Sequence, residues 1–181
     1  MTAFIIDQIK IVSDYGDSRI LPIVVTIAFL LFLVGERYLK EAVVLLFSVA
    51  SGIYVTVLKL LFKGPRPPFY QYNPYIVGDE FSFPSAHVVF YTAFWGYILY
   101  LTFKIKKLPL WLLLSIRIIC VYFITLVGAS RVLVGAHYIH DVVAGYFFGA
   151  VYLMFLIGLE TVLRNIPFKS LKKGTKHKKQ Y

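Results

Sequence analysis

The sequence has very little cysteine and very little charge. Its single cysteine, Cys120, lies inside a long apolar run, which excludes an intrachain disulfide. Only 15% of the 181 residues are charged, whereas 59% are hydrophobic, and the mean hydropathy is +0.75. A soluble domain of this length does not need so much apolar surface. The composition therefore predicts a membrane protein.

The N-terminus also lacks the pattern of a cleaved signal peptide, because no basic start or small-residue cleavage site surrounds the first apolar run. Polar residues instead interrupt a series of apolar ones at helical spacing. That series is Phe4, Ile5, Ile9 and Val12. The pattern predicts that residues 1–20 form a helix lying in the membrane interface.

Five apolar runs approach the length of about 20 residues that a membrane-spanning helix needs. They are Leu21–Val34 extended to Leu39, Ala42–Phe62, His87–Phe103, Leu108–Val127 and His140–Leu163. The runs follow one another closely, which leaves room for one helix bundle over residues 21–163. We therefore predict a single all-α polytopic membrane domain over residues 1–181, with a basic tail at 164–181.

The formal net charge is +10, and its distribution predicts the orientation in the membrane. Basic residues concentrate in the tail and in Lys104–Lys107, and the mixed-charge linker Gly35–Glu41 lies on the same side. The positive-inside rule places these segments in the cytoplasm. Residues 1–20, 63–86 and 128–139 then lie on the other side. The tail is interpreted as solvated and attracted to lipid, not as a nucleic-acid-binding segment.

Three polar clusters would meet at this non-cytoplasmic face, although ionisable groups beside hydrocarbon cost about 2.5 to 3.5 kcal/mol each. The first contains Lys59 and Arg66, seven residues apart at the end of the second span. Gly64 and Pro65 are expected to stop the helix and turn Arg66 back toward the lysine. Lys59 lies within the apolar run and is long enough to extend toward the surface.

The second cluster is the sequence FPSAH. Pro84 suits the first turn of a helix, which would place Ser85 and Ala86 at a helix N-terminus. Unpaired backbone N–H groups and the helix dipole attract anions there, phosphate above all. His87 follows immediately, close enough to exchange a proton with a bound group.

The third cluster is SRVLVGAHYIHD. His137 and Asp141 are four residues apart, so on one helix they would face the same way, and the carboxylate would fix the imidazole tautomer. Gly135 offers a bend through which Arg131 would approach the same point. Several cations with a helix N-terminus describe a phosphate-binding site, and two histidines supply a nucleophile and an acid. The clusters predict phosphoryl transfer without a metal.

At these residues the sequence resembles the type 2 phosphatidic acid phosphatase family, which includes vanadium haloperoxidases and bacterial acid phosphatases. The first motif, Lys-x6-Arg-Pro, is met at Lys59 and Arg66-Pro67. The second, Pro-Ser-Gly-His, is present as Pro84 to His87 with alanine at position 86. The third, Ser-Arg-x5-His-x3-Asp, is met at Ser130-Arg131, His137 and Asp141.

The resemblance implies a role for each residue. His137 would attack phosphorus and Asp141 would orient it, while His87 would protonate the leaving alkoxide and then activate water. Lys59, Arg66, Arg131 and Ser85 with the neighbouring amides would hold the phosphate. Ala86 replaces the motif glycine, which removes access to positive φ and adds a methyl group near the anion.

The implied substrate is a lipid phosphate or diphosphate in the bilayer, and no cofactor is implied. The resemblance suggests undecaprenyl diphosphate, phosphatidylglycerophosphate, phosphatidic acid or lipid A 1-phosphate, in a bacterial plasma membrane. The membrane lipid phosphatases of this family commonly have six spans, and the sequence has five. The N-terminal helix is therefore expected to replace the sixth span or to be buried.

Three other interpretations remain open. A metal site would use His137, His140 and Asp141, completed by His87, although three cations disfavour Zn²⁺. A serine hydrolase would use Ser85 or Ser130, but no strand-turn-helix elbow is present. An anion transporter would need polar residues at midplane, and Arg117 is the candidate, with Glu160 a weak second.

The linker over residues 64–83 is rich in proline and aromatic residues. Its aromatic residues are Phe69, Tyr70, Tyr72 and Tyr75. They are expected to form an interfacial belt, or else a lid over a bound headgroup. Asp79 and Glu80 would either repel a bound phosphate or neutralise a neighbouring cation when the site is empty.

Overall fold

The computed structural model describes residues 4, 7–9, 11, 12, 20–68, 70, 71 and 73–166. Within them the chain forms helices, with one isolated bridge between Pro65 and Phe81. The helices are α1 (Ile20–Gly35), α2 (Leu39–Val49), α3 (Ser51–Phe62), α4 (Ala86–Lys104), α5 (Leu110–Leu133) and α6 (Ile139–Asn165). The predicted all-α membrane bundle is confirmed.

Four helices of the described chain are long and apolar enough to cross a membrane. They are Leu39–Phe62, which joins α2 to α3, and α4, α5 and α6, with 24, 19, 24 and 27 residues. The first apolar run forms α1, whose 16 residues extend about 24 Å at 1.5 Å per residue. That length is shorter than a hydrocarbon core of about 30 Å. The predicted first span is therefore a shorter apolar helix in the described residues.

Part of the N-terminal segment packs on the bundle, since Ile9 and Val12 are buried while Phe4 and Ile11 are exposed. Its described residues are helical, and Val12 is fully buried. The Tyr122 hydroxyl on α5 donates a hydrogen bond to Gln8 Oε1 at 2.7 Å. The rest of the predicted interfacial helix, and residues 167–181 of the predicted tail, lie outside the described residues.

Helix α4 is the centre of the bundle. In its most apolar stretch of 18 residues, 67% is buried inside the protein, compared with 17–33% in the corresponding stretches of the other three spans. Helix α6 crosses it closely: a Cβ at Gly145 would lie 2.8 Å from Val88, and one at Gly149 would lie 2.6 Å from Thr92. Small residues permit this approach, which is how membrane helices gain packing energy. The start of α4 is thereby fixed against the start of α6.

The connections place four helix ends together. Helix α3 ends where α4 begins, and α5 ends where α6 begins, so residues 63–85 and 134–138 lie at one end of the bundle. We call this the site end. The opposite end holds the α1–α2 turn, the α4–α5 loop and the end of α6.

Arg117, the candidate for a transporter residue, has local partners near the opposite end. Its guanidinium donates to Thr102 Oγ1 at 3.0 Å and to the Thr102 carbonyl at 2.9 Å. It also lies over the Phe103 ring at 4.0 Å from the centroid. The side chain therefore joins α5 to α4.

Candidate active site

A cavity of about 520 Å³ opens at the site end. Six of the eight predicted site residues line it: Lys59, Arg66, Ala86, His87, Arg131 and His137. Ser85 and Asp141 lie outside the lining. They are fully buried and interact with the residues that surround the cavity.

Lys59 is buried in the wall of this cavity, with only 4% of its surface exposed. Its ammonium group donates to the Phe81 carbonyl, so it does not extend toward the surface as the sequence suggested. The helix ends at Phe62, the predicted end of the second span, because Lys63 adopts the left-handed conformation at φ 49°. Gly64 then packs against Phe83, where a Cβ would approach to 2.7 Å.

Arg66 does turn back into the site, as the sequence predicts. Its Nη1 donates to the Ala136 carbonyl at 2.9 Å and lies 3.3 Å from His137 Nε2. Its other donors bind Asp79: Nε reaches the carbonyl at 2.9 Å, and Nη2 reaches Oδ1 at 2.8 Å. One guanidinium thus connects the linker to the histidine.

The second motif begins α4 with a different register from the one predicted. Pro84 precedes the helix, Ser85 is its N-cap, and Ala86 is the first helical residue. The Ser85 N–H donates to the Asp141 carbonyl at 3.1 Å, so this amide is not available to an anion. Intrahelical bonds begin with the Val89 N–H, and the amides of the preceding turn are not used by the helix itself.

Ala86 fits the position where the family motif has glycine. Among the described residues, the positive φ angles of non-glycine residues belong to Arg37 and Lys63, so Ala86 needs no glycine-like conformation. Its side chain lines the cavity beside His87. The substitution therefore changes the shape of the cavity wall without backbone strain.

Arg131 lies in the last turn of α5, which runs six residues beyond the predicted span. The side chain is buried, and its Nε donates to Ser130 Oγ at 3.3 Å. Gly135, at φ 69°, supplies the predicted bend. The Arg131 carbonyl accepts the N–H groups of Ala136 and His137 at 3.1 and 3.2 Å, so the turn places the histidine beside the arginine.

His137 and Asp141 do not lie on one helix face, which corrects the predicted geometry. Helix α6 begins at Ile139, so His137 precedes it. Asp141 Oδ2 instead caps the helix by accepting the Tyr138 N–H at 2.8 Å. The distance from His137 Nδ1 to Asp141 Oδ2 is 3.6 Å, too long for a direct hydrogen bond.

Ser82, which the sequence reasoning did not identify, lies between these two residues. Its Oγ is 2.5 Å from Asp141 Oδ2 and 3.2 Å from His137 Nδ1. The fold of the linker places it there, because the Ser82 N–H donates to the Gly64 carbonyl at 2.8 Å. Its position two residues before Pro84 was the only signal in the sequence.

The surroundings keep His137 neutral. Burial is the largest cause, and together with the charges of Arg66 and Lys59 it lowers the pKa of His137 to about 4, against the opposing contact with Asp141. An imidazole with this pKa is unprotonated at neutral pH and retains a nucleophilic nitrogen lone pair.

The linker contributes directly to the cavity. Tyr70 lies over the Arg66 guanidinium at 3.9 Å and lines the cavity with Asp79. Asp79 pairs with Arg66, as one of the two predicted alternatives requires. Tyr75 is 93% exposed, like a residue of an interfacial belt. Phe69 and Tyr72 lie outside the described residues, and Glu80 is exposed.

His140, Ser130 and Ser85 are the residues that the metal-site and serine-hydrolase interpretations use. The His140 side chain is 70% exposed, with Nε2 3.2 Å from Asp141 Oδ1. In the described chain, no group of three or more His, Cys, Asp or Glu residues is arranged to hold a metal ion. The Ser130 hydroxyl donates to the Val127 carbonyl at 2.7 Å, and the Ser85 hydroxyl is buried.

Known proteins are similar to this chain in sequence and in fold. The sequence model of the PAP2 superfamily matches residues 41–163. Phosphatidylglycerophosphatase B of Bacillus subtilis is 30% identical over 159 residues, which are 85% of this chain and 74% of that protein. A palmitoyl-protein thioesterase-dolichyl pyrophosphate phosphatase fusion of Schizosaccharomyces pombe is 27% identical over 156 residues, again 85% of this chain but 24% of the fusion.

A crystal structure of a transmembrane PAP2 type phosphatidylglycerolphosphate phosphatase from Bacillus subtilis has the same fold. The TM-score is 0.63 at 21% identity, over 88% of this chain and 78% of that one. The family match covers more than half of the sequence and contains all three polar clusters. The chain belongs to the PAP2 superfamily and is a helical membrane phosphatase of that family.

Proposed function

We propose that this protein hydrolyses a lipid phosphate or diphosphate through a phosphohistidine formed on His137, without a metal ion. The observation that carries the proposal is the contact of Arg66 Nη1 with His137 Nε2 at 3.3 Å, inside a cavity lined by two further cations. An arginine that already touches the nucleophilic nitrogen would hold a phosphate against it.

Binding would use the charges of the cavity wall. Lys59 of α3, Arg66 of the linker that follows it and Arg131 of α5 all line the cavity. The N-terminus of α4 at Ala86 adds backbone N–H groups and the positive end of a helix dipole. These groups would stabilise the negative charge on the transferring phosphoryl group.

In the first step, His137 Nε2 donates its lone pair to phosphorus, and the bond from that phosphorus to the oxygen of the leaving group breaks. His87, protonated at this stage, gives its proton to that oxygen. A lipid phosphate thereby releases the lipid alcohol, and a lipid diphosphate releases the lipid monophosphate. The low pKa of His137, about 4 because of its burial, supports the role of nucleophile.

In the second step, a water molecule attacks the phosphohistidine. His87 takes a proton from the water, the phosphorus–nitrogen bond breaks, and inorganic phosphate leaves. His137 is released with its neutral imidazole, and His87 is again protonated for the next substrate.

A lipid substrate is supported by the place of the cavity, because its walls are ends of the spans α3, α4 and α5. The names of the two relatives specify a phosphatidylglycerophosphate and an isoprenoid diphosphate. We place the enzyme in a bacterial plasma membrane with its site on the non-cytoplasmic face, because the basic loops and tail favour the cytoplasm.

Phosphate release from purified lipids in detergent tests the proposal. The panel contains phosphatidylglycerophosphate, undecaprenyl diphosphate, phosphatidic acid and lipid A 1-phosphate, each with and without a chelator. We expect turnover that survives the chelator, is inhibited by vanadate and is lost in folded His137→Ala. Loss of turnover with the chelator would instead favour a metal site, and near-normal turnover of His137→Ala would remove the phosphohistidine.

A further inference from the structure

Ser82 is the buried hydroxyl group between the nucleophile and its carboxylate. The residue has no exposed surface and is outside the three motifs. Its Oγ lies within hydrogen-bond distance of both His137 Nδ1, at 3.2 Å, and Asp141 Oδ2, at 2.5 Å. The direct distance between these two atoms is 3.6 Å. The hydroxyl therefore occupies the space that a direct contact would need.

The direction of each hydrogen bond follows from the chemistry of the two ends. Arginine has only donors, so Arg66 must donate to His137 Nε2, and a neutral His137 must carry its proton on Nδ1. A carboxylate has only acceptors, so the Ser82 O–H must donate to Asp141. The Ser82 oxygen lone pair then accepts the Nδ1–H. Both ends independently require the same arrangement.

We propose that Ser82 is a positioning residue that connects Asp141 to His137 and, together with Arg66, holds the nucleophile as its Nδ1–H tautomer. The inference rests on the proposed function, in which Nε2 attacks phosphorus. When Nε2 bonds to phosphorus, the ring gains positive charge and Nδ1–H becomes a stronger donor. The Ser82 hydroxyl links this stronger donor to the carboxylate through two hydrogen bonds, and no proton is transferred.

Asp141 is held in place by other bonds and does not replace the serine. Its Oδ2 accepts the Tyr138 N–H at 2.8 Å, and its backbone carbonyl accepts the Ser85 N–H at 3.1 Å. A carboxylate fixed at both points remains beyond hydrogen-bond distance of Nδ1 when the hydroxyl is removed. The connection is then lost.

The test compares Ser82→Ala with Ser51→Ala in the full-length protein in detergent. Ser51 is a matched control, because it is also fully buried, lies about 12 Å from Lys59 along α3, and its Oγ has no hydrogen-bond partner in the described residues. For Ser82→Ala we expect kcat to fall about 10- to 100-fold with KM changed less than about twofold. Ser82→Thr, which keeps the hydroxyl, should retain more activity than Ser82→Ala.

Histidine ring N–H signals in NMR spectra give a readout that a merely structural role would not change. We expect the His137 Nδ1–H signal, assigned by its loss in His137→Ala, to exchange slowly with water in the wild type and faster in Ser82→Ala, where its acceptor is gone while Arg66 still holds the Nδ1–H tautomer. Wild-type kcat in Ser82→Ala, or an unchanged exchange rate of Nδ1–H, would overturn the inference while leaving the proposed function intact. Near-normal turnover in His137→Ala would instead overturn the proposed function itself.

Discussion

Two lysines at opposite ends of the bundle, the buried Lys59 and the partly buried Lys104, have different partners. At the site end, Lys59 donates to a backbone carbonyl and faces the cavity. At the opposite end, Lys104 contacts Glu41 at 2.8 Å and also Glu160, so α4 is tied to α2 and α6. Tyr97 donates a further hydrogen bond to Glu160 at 3.1 Å. One lysine is neutralised by the protein, and the other is left to meet an external anion.

This difference separates a structural use of buried charge from a functional one. A buried ion pair adds little stability compared with well-packed apolar residues. Removing one of its partners is nevertheless strongly destabilising, because the other charge is then left buried and uncompensated. A buried cation without a carboxylate partner is a cost to folding that a bound anion repays. The two lysines should therefore respond in opposite ways to the same substitution.

Lys59→Met and Lys104→Met should show the largest effects. Lys59→Met removes a charge from the phosphate site, so phosphatase activity should fall about 10²- to 10³-fold without loss of stability. Lys104→Met leaves two buried carboxylates unpaired and should lower the free energy of unfolding by about 3 kcal/mol, with kcat per folded molecule unchanged. Phosphate release and thermal unfolding in detergent measure both quantities.

Equal loss of stability in the two variants, with no selective loss of activity, would contradict this distinction between the two lysines. Lys63→Met is the matched control, because Lys63 is exposed four residues after Lys59 and is absent from the cavity wall. It should change neither quantity.

His137 should make the stability of the protein depend on pH. His137 has a pKa of about 4 in the folded protein because of its burial, and an ordinary value of 6.5 when exposed. Between these values the unfolded chain binds a proton that the folded protein does not, so stability should decline as the pH falls from about 6.5 to about 4. In His137→Asn this part of the decline should disappear. A decline of the same size in His137→Asn would assign it to other groups.

Neutralising a carboxylate in addition to the lysine should restore part of the lost stability at the opposite end, but no activity at the site end. In Lys104→Met with Glu160→Gln, one of the two unpaired charges is removed, and about 1–2 kcal/mol of stability should return. At the site end, adding Asp79→Asn to Lys59→Met should restore no activity, because the lost interaction is with substrate. Additive losses at the opposite end in a double-mutant cycle would show that Lys104 and Glu160 do not act as a pair.

The sequence predicted which residues would line the cavity better than it predicted their mutual geometry. Lys59, Arg66, Arg131 and His137 have fixed motif spacing at the ends of apolar runs, and each feature can be recognised locally. Which residue bridges His137 to its carboxylate depends on the path of the linker across the end of the bundle. Ser82 reaches that place through a bond to Gly64, and no local pattern encodes this contact.

Long-range pairing explains why the charge partners at the opposite end were not predicted. Lys104 and Glu41 are 63 residues apart and meet only after α2, α4 and α6 have packed. Arg117 has nearer partners on α4, but helical periodicity alone does not show that α5 turns it toward Thr102. Helix existence follows from apolar runs, whereas these contacts follow from the rotation of each helix in the bundle.

Asp79 brings a carboxylate into the cavity at the site end, where it pairs with Arg66 at 2.8 Å. Phosphate must compete with it for the guanidinium. Asp79→Asn keeps an acceptor oxygen but removes the charge, so KM and the inhibition constant of inorganic phosphate should fall about two- to fivefold, with kcat unchanged. Glu80→Gln removes the same charge from the exposed neighbour and should change KM less. A rise in KM for Asp79→Asn would mean that the carboxylate orients Arg66 for substrate, and the site end would then depend on an internal ion pair as the opposite end does.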